Sequence, residues 1–145
     1  MKMLTIGKLA KASNVNTDTL RYYERQKLLL PVSRSSAGYR IYEQESIDRV
    51  RFIKKAQSLG FSLSEISQLL HFDGSREANA GDVLAITNKK IDQQHQKIKE
   101  LKEIESVLQK LAAQCAGNGS TQECPILRYL YPNTKSDKES ILKEK

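Results

Sequence analysis

The chain has 145 residues, a length that accommodates one globular domain or two very small ones and disfavours barrels and doubly wound enzymes. Its 24 Lys and Arg outnumber 17 Asp and Glu for a net charge of +7, and the surplus is uneven: residues 1–72 carry 12 basic and 6 acidic side chains, residues 73–145 carry 12 and 11. A positive field concentrated in one half attracts polyanions, nucleic acid ahead of anionic lipid and of acidic small molecules. No apolar run approaches the roughly 20 residues of a spanning helix, and the N-terminus lacks a signal-peptide core, so a cytoplasmic location and no membrane partner are expected. Cys115 and Cys124 are the only cysteines, too few to staple a secreted domain; metal, redox chemistry or burial must account for them.

Thr5 is a plausible N-cap for a first helix whose Ile6, Leu9 and Ala10 share one face. Ser13-Asn14-Val15-Asn16 is a turn sequence, and Thr17 is expected to cap a second helix, Thr17-Asp18-Thr19-Leu20-Arg21-Tyr22-Tyr23-Glu24-Arg25. With Leu20 facing inward, that helix presents hydroxyls and guanidinium groups suited to phosphates and base edges; a merely solvated face is the alternative. Residues 32–42, rich in small polar side chains around Gly38 and ending in Tyr39-Arg40-Ile41-Tyr42, read as a hairpin with an exposed basic and aromatic tip. A wing beside a helix-turn-helix is the economical account.

Helical periodicity returns over 43–59, with Ile47, Val50, Ile53 and Leu59 on the buried face and Arg49, Arg51, Lys54 and Lys55 mostly outside it. Gly60 ends that helix, and Ser62-Leu63-Ser64-Glu65 has capping-box spacing for a short helix with Ile66, Leu69 and Leu70 as its stripe. Residues 1–72 thus have enough apolar surface for one compact winged core, a candidate DNA-binding domain, and 73–81 read as a linker. A long helix over 82–113 carries Leu84, Ile91, Ile98, Leu101, Ile104, Leu108 and Leu111 at coiled-coil steps. Nothing else in the chain can bury that stripe, which argues for a second copy of the protein. Residues 114–131 form a loop and short helix, and 132–145 are a charged tail expected to be disordered.

Leu4-Thr5-Ile6-Gly7-Lys8-Leu9-Ala10, the run from Asp18 to Arg25 followed by Leu28-Leu29, Ala37-Gly38-Tyr39-Arg40-Ile41-Tyr42, Leu59-Gly60-Phe61-Ser62-Leu63-Ser64-Glu65-Ile66 and the terminal cysteine segment together resemble the MerR family of bacterial transcription regulators. The resemblance implies a mainly α fold: a winged helix-turn-helix domain, a second helical wing, an antiparallel coiled-coil homodimer and a C-terminal effector loop. It places Arg21 and Tyr22 on the recognition helix with Tyr23 supporting it, Arg34, Tyr39 and Arg40 on the phosphate-gripping wing, and Lys54 in the second wing. It also implies a torsional switch, in which the dimer distorts double-stranded promoter DNA so that RNA polymerase engages both promoter elements.

Eight residues separate Cys115 from Cys124, among them Gly117 and Gly119. Structural zinc asks for four ligands and close cysteine pairs, whereas two thiolates suit a soft d10 cation in near-linear coordination, such as Cu(I), Ag(I) or Au(I). From the residues alone, two buried thiols or a redox disulfide stay open. The resemblance favours metal, because the metal-sensing branch places two cysteines around such a loop, followed by Pro-Ile-Leu as in Pro125-Ile126-Leu127. Sensors of divalent ions resemble this chain except for a third cysteine where Ala80 stands, which points to the copper, silver and gold sensors. The loop length pulls the other way, towards mercury and zinc sensors; the missing donor is given more weight, because an additional loop residue can bulge. His71, His95 and Glu123 are left outside the metal site. A sensor of oxidants or electrophiles is the rival within the fold, and a thiol enzyme with His95 as base has no supporting motif.

Overall fold

The computed structural model describes residues 3–132; the charged tail expected at 132–145 lies, from residue 133 onward, outside the described residues. In chain order the elements are β1 (Met3–Thr5), α1 (Ile6–Ser13), α2 (Thr17–Arg25), β2 (Ser33–Arg34), β3 (Arg40–Glu43), α3 (Ser46–Ser58), α4 (Leu63–Asp73), α5 (Ala80–Gln114), a single 3-10 turn (Thr121–Glu123) and α6 (Pro125–Leu130). None of the described helices is long and apolar enough to cross a membrane.

Caps fix the helix-turn-helix. The Thr5 hydroxyl accepts from the Lys8 N–H at 3.3 Å and opens α1. Asn14 closes it in the left-handed region, at φ +58, with its N–H on carbonyls of the last turn. The expected cap of α2 at Thr17 is corrected: Asn16 holds that position, and its carboxamide oxygen accepts from the Thr19 N–H at 2.7 Å and the Thr19 hydroxyl at 2.8 Å. Thr17 already has helical geometry, so its hydroxyl cannot reach forward to the free N–H groups of the first turn as an extended cap residue can.

Three short antiparallel strands lie in the order β1-β3-β2. Pattern reading found the wing hairpin but missed β1, because three residues are too few to show alternation; Leu4 pairs with Tyr42 across the β1–β3 ladder. Tyr42 is fully buried with Leu9, Leu20, Leu28, Leu29, Val50, Ile53 and Ile66 in one core. Two details of α3 differ from expectation. Glu43 belongs to β3, so the helix starts at Ser46, and Leu59 is 61% exposed beyond its end, leaving Val50, Ile53 and Ala56 as the buried face. Three of its cations are used inside the domain: Arg49 donates to the Leu28 carbonyl (2.6 Å), Arg51 to Ala12 (3.0 Å) and Lys54 to Asn14 (3.0 Å). Arg51 and Lys54 thereby bring positive charge to the carbonyl-rich end of α1.

The capping box of α4 forms in full, with Glu65 donated to by the Ser62 N–H and the Ser62 hydroxyl accepting from the Glu65 N–H. The connection expected at 73–81 is shorter, because α4 reaches Asp73 and α5 begins at Ala80. Asn79 and Asp82 cap α5 reciprocally: the Asn79 carboxamide oxygen accepts from the Gly81 N–H (2.8 Å), and the Asn79 N–H donates to the Asp82 carboxylate (2.9 Å). The first compact unit does not end at this connection but extends through Gln94, taking in the first turns of α5; the second runs from His95. Leu84, Ile91, Ile98, Leu101, Ile104 and Leu108 all stand half exposed or more in the single chain, whereas Leu111 is buried.

Glu65 also accepts the Lys90 ammonium at 2.8 Å. That contact, followed by the Ser62 N–H, holds its carboxyl down from 4.5 to about 2. A depressed carboxylate contributes stability that is complete above its unfolded-state value and is lost as pH falls towards the folded one. Glu65→Gln keeps a capping side chain, so the wild type should melt higher than this variant at neutral pH, and the gap should close as pH falls from about 4.5 to about 2. Thermal melts across that window check it; a pH-independent gap contradicts it.

Candidate DNA grip and thiol site

On α2, Arg21 donates to Asp18 at 3.2 Å with both side chains exposed, a contact that solvent screens and a phosphate can displace. Tyr22 is 42% exposed, and the Arg25 guanidinium lies 5.7 Å from the centre of its ring. Tyr23 is different. Its ring is only 2% exposed, its hydroxyl donates to the Gln57 carboxamide at 2.6 Å, and burial raises its pKa. Tyr23 thus props α2 against α3, in keeping with a supporting place behind the recognition helix, and has no free ring face to offer.

The wing tip turns on Ser35 and Gly38, with Gly38 at φ +86 and the Ser35 hydroxyl accepting from the Tyr39 N–H at 3.1 Å. Tyr39, 69% exposed, and Arg34, which donates to the Gly38 carbonyl at 3.0 Å, stand at this tip. Arg40 instead turns back to the recognition helix: its Nε donates to Glu24 Oε1 at 2.8 Å, while the Tyr42 hydroxyl donates to Glu24 Oε2 at 3.0 Å. Burial, and then the Glu24 carboxylate, push the Tyr42 phenol up to about 12; the same carboxylate raises Arg40. One carboxylate thus locks β3 of the wing to α2. Glu24 escaped pattern reading as a site residue; its signal was an acid set between the cations Arg21 and Arg25. Lys54 of α3 lies by the α1–α2 turn, in a polar depression lined by Asn16, Thr19 and Gln57.

Cys115 directly follows α5, and its N–H bonds the Ala112 carbonyl at 3.2 Å. Cys124 is the N-cap of α6, with Pro125 at the first helical position. Between them Gly117 and Gly119, both at positive φ, reverse the chain. Val107, Lys110, Leu111 and Gln114 of α5 share a groove with Pro125, Arg128 and Tyr129, so α6 folds back along the end of α5. Both thiols are half-buried. The Leu127 N–H, with further help from the Ile126 N–H, a hydrogen bond to Cys115 and the Arg128 charge, pulls the Cys124 thiol below its ordinary value. Two neighbouring sulfurs, one biased towards thiolate, fit a two-coordinate soft ion. Among the described residues there is no group of three or more His, Cys, Asp or Glu that could hold a metal. His71 sits in the last turn of α4 and His95 on α5, both exposed, and Glu123 is exposed beside Cys124.

Comparison with known proteins accounts for both halves. The family described as MerR HTH family regulatory protein matches residues 4–73, and the one described as MerR, DNA binding matches residues 47–111. A mercuric resistance operon regulatory protein of Bacillus cereus is 43% identical over 125 residues, covering 86% of this chain and 95% of that protein. Heavy metal-dependent transcription regulator 2 of Rhizobium meliloti is 33% identical, covering 86% and 84%. Among solved structures, the transcription regulator PbrR691 from Ralstonia metallidurans CH34 in complex with lead(II) superposes with a TM-score of 0.75 at 33% identity, covering 88% of this chain and 99% of that one. Regulators of this family act as dimers on promoter DNA, the arrangement that the exposed stripe of α5 requires. With its helix-turn-helix, wing and long helix all accounted for in this way, the chain belongs to the MerR family of HTH regulatory proteins, DNA-binding transcription regulators and not enzymes.

Proposed function

We propose that the protein is a metal-responsive transcription regulator that captures a soft d10 ion between Cys115 and Cys124 and converts that capture into a distortion of promoter DNA. The observation that carries this reading is the pairing of two half-buried thiols, one with a lowered pKa, at the end of a helix whose other end is built into a DNA-binding domain. Metal regulators among its relatives support it. Two thiolates satisfy Cu(I), Ag(I) or Au(I) and leave a single negative charge, whereas zinc or lead would want further donors. Mercury is the second reading, favoured by the Bacillus cereus relative and by the eight-residue loop, since Hg(II) is also soft and content with two sulfurs.

On the DNA side, Arg21, Tyr22 and Arg25 face the groove, Arg34 and Tyr39 reach the flanking backbone, and Lys54 belongs to the second wing. Arg40 and Glu24 set the wing's angle. Bending and untwisting a duplex costs energy that depends on its sequence, and the bound dimer supplies it through these contacts, so one complex represses or activates without leaving its site.

In vitro transcription from the cognate promoter with buffered Cu(I), Ag(I), Zn(II), Cd(II) and Hg(II) tests the assignment. Activation by the monovalent ions is expected; activation by Hg(II) alone moves the protein to the second reading, and activation by Zn(II) or Cd(II) alone overturns both. Cys115→Ser and Cys124→Ser should each abolish the response while leaving operator affinity intact; loss of binding would show that the thiols are structural. Operator titrations against salt separate the wing residues: Arg34→Ala should lower the slope of log K against log salt by about one, while Glu24→Gln should weaken binding with the slope unchanged.

A further inference from the structure

The first turns of α5 meet the turn between α3 and α4 through polar contacts of unusual density. Lys90 is the one buried Lys, Arg, Asp or Glu side chain among the described residues. Its ammonium bonds Glu65 Oε1 at 2.8 Å and the Gln93 carboxamide at 2.7 Å, and lies 5.8 Å from the centre of the Phe61 ring. One turn further on, the Gln94 amide reaches the Leu59 carbonyl at 3.4 Å. Between these contacts sits Gly60 at φ +95, so close that an added Cβ would collide with the Gln94 amide. Leu59, Gly60, Phe61 and Glu65 on one side thus face Lys90 and Gln94 on the other, and α5 continues unbroken from there to Gln114, next to Cys115.

We propose that Lys90 is a positioning residue of the switch, fixing the second wing, α3 and α4, to the helix that carries the thiol loop. A buried ion pair is a poor way to gain stability, since apolar groups of similar volume do as well once desolvation is counted. What it supplies is direction. Charge-assisted hydrogen bonds hold a narrow geometry, whereas an apolar contact tolerates sliding and rolling. Because Glu65 is also the capping residue of α4, Lys90 grips the start of that helix directly, and a rotation of α5 carries the wing with it. The role in activation rests on the metal-responsive reading above; the role in placing the second wing does not.

Lys90→Met, Lys90→Arg and the double variant Glu65→Gln/Lys90→Met separate the possibilities, the double variant retaining a capping side chain without a half-buried, unpaired carboxylate. Hydroxyl-radical footprints on operator DNA without metal should lose protection at the outer flanks in Lys90→Met and in the double variant, with central protection kept and overall affinity within about threefold of wild type. Lys90→Arg should restore the flanks. With whichever of Cu(I), Ag(I) or Hg(II) activates the wild type, the two charge-removing variants should bind the ion normally yet lose activation by about tenfold, the scale of an allosteric coupling. A wild type that answers none of these ions defeats the metal reading alone, and the footprint still decides the role of Lys90. Wild-type flanks in the double variant overturn the proposal, as does a loss of central and flanking protection together.

Discussion

A helix of 35 residues with its apolar side chains on the outside imposes the constraint from which the rest of this protein follows. Ile98, Leu101, Ile104 and Leu108 recur at steps of three and four and are each half exposed or more in the single chain. Covering a side chain of this kind is worth about 1.5–3 kcal/mol at full burial, and a row of them outweighs what one small domain can leave in water without cost. A second copy of the same helix satisfies the row by symmetry, with each apolar position meeting its counterpart. Pairing through α5 accords with regulators of this family acting as dimers on promoter DNA.

The boundary between the two compact units falls within a single helix. The DNA-reading unit keeps the first turns of α5 through Lys90 and Gln94, so the helix is part of the domain fold before it becomes the rod. On the other side of that domain, Glu24 ties the wing to the recognition helix by accepting from Arg40 and Tyr42. Both ties use a carboxylate with two donors, and both join elements distant in sequence. Each tie joins parts of the grip that the proposed distortion of promoter DNA needs to act as one, since a slack wing would dissipate that deformation.

Elements with a long period or a short chemical signature were legible in the sequence. The stripe of α5, the box Ser62 to Glu65, the cap at Thr5 and the Gly38 hairpin rest on local spacing, and the fold repeats them. What local spacing could not show was which polar residues face each other across the fold. Tyr23 reads as one of three consecutive polar or aromatic residues, yet the helix turns it onto Gln57, 34 positions away. Arg40 reads as a wing cation, yet Glu24 claims its Nε, and no local pattern sets Lys90 apart from the other lysines of α5, although Glu65 holds it. A three-residue strand and a one-position shift of the α2 cap fall below the resolution of pattern; the second follows from asparagine and threonine being near-equal caps. The thiol pair was visible as chemistry, because cysteine is rare in this chain and glycine brackets its loop, but the backbone N–H groups that favour the Cys124 thiolate come from α6 and needed the fold.

The dependence of the whole arrangement on a partner for α5 can be measured directly by sedimentation equilibrium of the full chain, metal-free and after loading with Ag(I). A mass of twice 16.4 kDa is expected in both states, with Ile98→Lys/Leu101→Lys driving the chain to monomer and abolishing operator binding. A wild-type chain that sediments as a monomer at micromolar concentration, or a lysine variant that stays dimeric and binds operator normally, would contradict it.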